Sequence, residues 1–186
     1  MTADRWSQDI ATLRRAAEEL ARKRNDLQRP RVLTPFERIA QSLDDSSAEV
    51  RRKTVRDLYQ LDPDQAATLV NEALRHGTAE ERRRIGTALA DSGLLYEAID
   101  DLKGENHESC YGAFSLLFLV AKAGVVEPLI SVIENNPSTY LSLALIRLLA
   151  SSGEREVTFA FRLLAANTSL PPEVRRVVAE YISSAA

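Results

Sequence analysis

The 186-residue chain has one cysteine, Cys110, and only seven glycines and seven prolines. A lone thiol excludes an internal disulfide and suits a reducing, cytoplasmic compartment. Scarce Gly and Pro argue against a sandwich or barrel, which needs frequent turns between many short strands. Neither G-x-G-x-x-G nor G-x-x-x-x-G-K-[ST] occurs, so the glycine turns that cradle phosphates in dinucleotide and P-loop folds are missing. The longest apolar stretch, Ala113 to Ile130, is interrupted by Lys122, Glu127 and Pro128. It reads as a buried helix pair rather than a membrane span. The first thirty residues carry Arg and Glu throughout, without the apolar run of a signal peptide. Positive charge is not in excess either. The net charge of −3 lacks the basic footprint of most nucleic-acid binders.

What is abundant is Leu and Ala, 25 of each. Apolar residues at 45% and charged residues at 27% describe a globular chain. A chain this long can bury about 70% of its unfolded surface.

Three short turns recur: Asp91-Ser92-Gly93, Lys122-Ala123-Gly124 and Ser151-Ser152-Gly153, spaced 31 and 29 residues apart. Each follows an apolar-rich run and precedes a second apolar segment. Four second segments share apolar positions at i, i+3, i+4 and i+7: Ala66/Leu69/Val70/Ala73, Leu95/Ala98/Ile99/Leu102, Val126/Leu129/Ile130/Ile133 and Val157/Ala160/Phe161/Leu164. That spacing marks one face of an α-helix. First segments align as well. Glu49-Val50-Arg51-Arg52 lies four periods before Glu173-Val174-Arg175-Arg176, and Glu80-Glu81-Arg82-Arg83 lies one period after the first. The unit is therefore helix, tight turn, helix. One such unit cannot bury its apolar face alone, but stacked neighbours can.

Start signals agree with this period. Thr34-Pro35-Phe36-Glu37, Ser46-Ser47-Ala48-Glu49, Asp62-Pro63-Asp64-Gln65 and Thr78-Ala79-Glu80-Glu81 each read as an N-cap with Glu or Gln three residues on. Asn136-Pro137 repeats the device, and Pro171-Pro172 opens the last helix. Helices are predicted near 3–28, 35–43, 47–61, 63–76, 79–91, 94–103, 107–122, 125–135, 137–151, 154–166 and 171–184.

Glu-Val-Arg-Arg followed by Thr54, Val55 and Leu58, an Asp-containing turn and an apolar second helix resembles HEAT-like repeats. The short form, near 30 residues, is similar to that of bacterial proteins such as phycocyanobilin lyases. The resemblance implies an all-α, right-handed α–α solenoid with an N-terminal helical cap. Its parts would be a capping segment over 1–33 and a solenoid over 34–186. Repeats would fall near 47–76, 78–104, 107–135 and 137–167, with a closing helix at 171–184. Val-Arg near the start of the first helix is clean at Val50-Arg51 and Val174-Arg175, and absent at Gly112-Ala113 and Leu141-Ser142. In residues 6–27, Trp6, Ile10, Leu13, Ala17, Leu20, Arg24 and Leu27 follow a heptad-like seam. The seam fits a capping helix. A self-associating helix or a juxtamembrane stalk are the other readings.

Catalytic and metal signals are thin. His107 and Cys110 are three apart and His76 is the only other His, short of a zinc set. The same pair lacks an orienting Asn or Asp for a nucleophilic dyad. Sequential carboxylates such as Asp44-Asp45 and Asp100-Asp101 suit helix termini. The expectation is a non-enzymatic chain without catalytic residues, metal or cofactor.

Binding surfaces are the stronger expectation. In a HEAT-type stack the second helices line the concave face. Tyr96, Asp100, Asp101, Glu127, Phe159 and Arg162 then point outward as a groove for a protein segment, acidic in the middle with aromatic anchors. Phe159 and Leu163 could instead pack under the final helix. The alternative surface is a basic stripe of Arg51, Arg52, Lys53, Arg82, Arg83 and Arg84 on consecutive first helices. It would take phosphate backbones, as in HEAT-like DNA glycosylases. An enzyme similar to the lyases is the third reading. The favoured one is a scaffold or adaptor for a protein partner.

Overall fold

Among the described residues, only three glycines take a left-handed backbone: Gly93 (φ 89°), Gly124 (φ 76°) and Gly153 (φ 72°). They are the three turn glycines of the sequence repeat. A side chain in this region costs about 1–2 kcal/mol, which glycine avoids. Each ends one helix and aims the next back along it.

The computed structural model describes Glu19, residues 33–104 and residues 107–184, the side chains of 107–109 excepted. The chain divides into two units, Met1–Thr34 and Pro35–Ala186. The predicted helix over 3–28 and its heptad seam lie outside the described residues, apart from exposed Glu19.

Ten helices and no strand occur among the described residues. In order they are α1 (Pro35–Ala40), α2 (Ala48–Leu61), α3 (Pro63–His76), α4 (Ala79–Asp91) and α5 (Leu94–Asp101), then α6 (His107–Lys122), α7 (Glu127–Asn135), α8 (Thr139–Ser152), α9 (Arg155–Ala166) and α10 (Pro172–Ser184). The protein is all-α across this span.

Local chemistry sets the starts. The Thr78 hydroxyl accepts from Glu81 N at 3.2 Å, and Glu81 Oε2 accepts from Thr78 N at 2.7 Å, a complete capping box. Asp62 Oδ1 accepts from Gln65 N at 2.9 Å with Pro63 at the first helical position. Two expected caps shift. Ser47, not Ser46, caps α2, accepting from Val50 N at 3.4 Å. Asp45 Oδ1 takes the Ser47 N–H at 2.8 Å and holds the entering loop one residue tighter. Similarly Ser138, not Asn136, caps α8, because Asn136 Oδ1 accepts from Ser138 N at 2.8 Å and spends itself on an Asx turn. Pro137 therefore sits in that turn rather than in the helix.

Packing follows the sequence stripes. Leu95, Ala98, Ile99 and Leu102 are all buried, as are Val157, Ala160, Phe161 and Leu164. Leu69, Ala73 and Ile130 are half-buried against the same core. In α3 the buried line is Ala66, Val70 and Leu74. First helices pack in series, α2 on α4, α4 on α6, α6 on α8 and α8 on α10, while second helices lie against the first helices that follow them. One contact breaks the nearest-neighbour pattern: α3 packs on α6. Eight-residue α5 spans about 12 Å and leaves that approach open. Lys122 Nζ, at the end of α6, donates to Asn71 Oδ1 on α3 at 3.2 Å.

Gly86 on α4 makes the closest approach. A Cβ there would lie 2.4 Å from Ala123 Cβ and 2.9 Å from Val125 Cγ2. Glycine is what lets the α6–α7 turn seat on α4.

Candidate partner-docking surfaces

The second helices do carry exposed aromatics. Tyr96 on α5 is 62% exposed and Phe159 on α9 is 65% exposed. Phe159 and Leu163, one turn apart, both face outward rather than under α10. The α9 aromatic that packs there is Phe161, whose ring lies 6.2 Å from that of Tyr181 on α10. Asp100, Asp101, Glu127 and Arg162 are exposed. The acidic stretch is largely neutralised by local partners. Asp100 Oδ1 accepts from Lys103 Nζ at 2.6 Å, Glu97 pairs with Arg56 at 2.8 Å and Glu127 pairs with Arg83 at 3.8 Å. Tyr96 and Phe159 stand on separate helices and line none of the three clefts described below.

The basic stripe is broken. Arg51 is buried, and its Nη1 donates to Asp45 O at 2.6 Å and Ser46 O at 2.9 Å. It fastens the α1–α2 loop and does not face solvent. Arg84 pairs with Glu80 at 3.3 Å and Asp44 at 3.7 Å. Arg82 and Arg83 share a cleft of about 330 Å³ with Glu80, Glu154 and Glu156. Arg52 and Lys53 remain exposed on α2. Carboxylates interleaved with the arginines oppose a phosphate backbone.

Chemistry-bearing groups are sparse. Cys110 is half-buried, with Sγ 3.5 Å from Asp101 O and 3.9 Å from Gly104 O. The His107 side chain lies outside the described residues. No cluster of three His, Cys, Asp or Glu able to hold a metal occurs among the described residues. Burial pushes the Tyr59 phenol above its ordinary range, and its hydroxyl has no hydrogen-bond partner among the described residues. The Thr78 backbone N–H, then the Thr78 side chain, holds the Glu81 carboxyl below the usual carboxylate range, with Arg84 adding to the effect. Both perturbations have structural causes, and neither residue lines any of the three clefts.

The largest of the three clefts lies between two first helices. It has a volume of about 540 Å³ and is walled by Phe114 and Phe118 of α6 and by Tyr140, Leu143, Ala144, Arg147, Leu148 and Ser151 of α8. Tyr140 is 77% exposed, and Tyr111, one turn before Phe114, is 79% exposed. The sequence reading, which assigned docking to the second helices, overlooked this surface. A signal was present. Tyr111, Phe114 and Phe118 repeat at i, i+3 and i+7 on a helix already apolar on its other faces. A helix apolar all round is either wholly covered or offers a face to something else. No helix among the described residues is long and apolar enough to cross a membrane.

No protein-family model matches the chain, and no curated protein matches it by sequence.

Proposed function

We propose that this chain is a non-catalytic, HEAT-like repeat scaffold that docks a protein segment in the cleft between α6 and α8. The repeat reading is supported by the series contacts of α2, α4, α6, α8 and α10, and by left-handed glycines at the repeated turns. A right-handed solenoid is the arrangement that reading implies. The observation that carries the docking role is the aromatic cleft itself. Soluble chains rarely leave neighbouring aromatics such as Phe114 and Tyr140 open to water without a use for them. The described residues lining it are mostly apolar or aromatic, as expected of a surface that holds a partner by burial. A stiff stack presents its surface already formed, so little ordering entropy opposes association. The lone thiol of Cys110 favours a cytoplasmic setting.

The test is capture from a native extract, read by mass spectrometry, with three proteins compared. These are the wild type, Phe114→Ser with Tyr140→Ser, and Tyr96→Ala with Phe159→Ala. The cleft pair should lose the partner while remaining folded, since Tyr140 is 77% exposed and Phe114 38% exposed. Retention by the cleft pair with loss by the second pair would move the site to the second helices. Retention by both would sink the docking role for either face.

A further inference from the structure

We infer that the α6–α8 cleft selects an acidic amphipathic helix, with Arg147 receiving a carboxylate from it. This rests on the docking role proposed for the same cleft and adds the chemistry of the partner. Several surface cations are matched within the chain, Arg56 by Glu97, Arg83 by Glu127, Arg84 by Glu80 and Lys103 by Asp100; what sets Arg147 apart is its place in an apolar cleft. Arg147 is exposed on the cleft wall and has no ion pair or hydrogen bond among the described residues. Neither helix supplies one. α8 contains no acidic residue, and α6 contains none after Glu108. Lys122, the last residue of α6, lies outside the cleft lining but beside one of its members. Its Nζ is fixed by Asn71 and lies 6.0 Å from the centre of the Phe118 ring, which lines the cleft. Arg147 is the one charged residue among the described residues lining the cleft.

Shape supplies the rest. Tyr111, Phe114 and Phe118 form one ridge at i, i+3 and i+7. Tyr140, Leu143 and Arg147 form the other at the same spacing. Sixteen-residue α6 runs about 24 Å, room for a partner helix of three to four turns laid between the ridges. Apolar walls would take the partner's apolar stripe. The planar guanidinium at the wall would meet a carboxylate on the partner's flank, where partial exclusion of water strengthens the pair.

The experiment uses synthetic amphipathic helices of 16 residues, the length of α6. Leu and Phe are placed at i, i+3, i+4 and i+7, and the polar positions are all Glu, all Gln or all Lys. Binding to the full chain is measured by fluorescence anisotropy. The Glu peptide should bind at least about tenfold tighter than the Gln peptide, and the Lys peptide weakest. Arg147→Glu should invert the Glu and Lys order, and added salt should narrow the gap. Arg147 is exposed, so this variant does not challenge folding. Equal affinity for the Glu and Gln peptides would overturn the charge selection while leaving the docking role. Failure of every peptide to bind would overturn both. Unchanged binding of the Glu peptide by Arg147→Glu would place its site elsewhere and overturn the inference. So would a dimer, seen by sedimentation and broken by Phe114→Glu, because a second copy would then fill the cleft.

Discussion

Two glycines inside helices should respond oppositely to the same substitution. Gly86→Ala gains helix propensity of about 1 kcal/mol but drives a methyl into Ala123 and Val125. Overpacking of a close contact costs about 1–3 kcal/mol, and Ala123 belongs to a turn that has little room to yield. The expected net effect is a lower Tm. Gly112→Ala meets nothing within 4 Å and should raise Tm. At about 2–4 °C per kcal/mol for a domain of this size, differential scanning calorimetry resolves both signs. A rise for Gly86→Ala would show that the α6–α7 turn can move. Tyr59 offers a second test at this scale. Its buried hydroxyl lacks a partner among the described residues, so Tyr59→Phe removes an uncompensated polar group and should leave stability equal or higher. A drop beyond about 1 kcal/mol in denaturant melts would reveal a partner for the phenol.

At the scale of the helix, the caps decide where each element begins. Thr78→Ala should destabilise α4 by about 1 kcal/mol, seen as a lower urea midpoint with unchanged slope. The pH dependence has a defined sign. Glu81 is held below its ordinary range in the folded state, so its contribution is present above the unfolded carboxylate value. It fades as pH falls through the folded value. The stability gap between wild type and Glu81→Gln should therefore close in the acid range and stay constant near neutrality. Cap chemistry was also where the sequence was least exact. Ser46 and Asn136 read as caps because both have the right residue type. In the folded chain the loop turn preceding α2 or α8 decides which of two candidate oxygens reaches the helix. Type alone does not encode that choice. The turn glycines were legible for the opposite reason. Gly93, Gly124 and Gly153 occupy conformations that other residues rarely adopt, so identity and geometry coincide.

At the scale of the whole molecule, the period of the apolar stripes showed which residues are buried but not which neighbours cover them. The four second-helix stripes all meet the core, since each needs only the helices beside it. The α6–α8 cleft depends on how two helices 30 residues apart are spaced, and no local pattern carries that distance. The same gap in information hid the fate of Arg51, whose register matched a surface stripe while its side chain turned in to hold a loop. Burial at the centre is complete for Leu117, Leu145 and Leu149. Leu117→Ala should cost about 2–5 kcal/mol, measured by thermal or urea unfolding, and a loss under about 1 kcal/mol would indicate that the core refills the space.

The contact of α3 with α6 has a consequence for how the chain opens. A strict array of repeats frays one unit at a time, because each unit answers only to its neighbours. Here the Asn71–Lys122 bond and the packing around it bridge across α5. Because α3 packs on both α4 and α6, and α4 packs on α6, none of the three leaves without breaking contacts to the other two, so the first three helical pairs should open as one block. In native-state hydrogen exchange, buried amides of α3, α4 and α6 should share a single opening free energy. Those of α9 and α10, tied only to the end of the series, should open earlier.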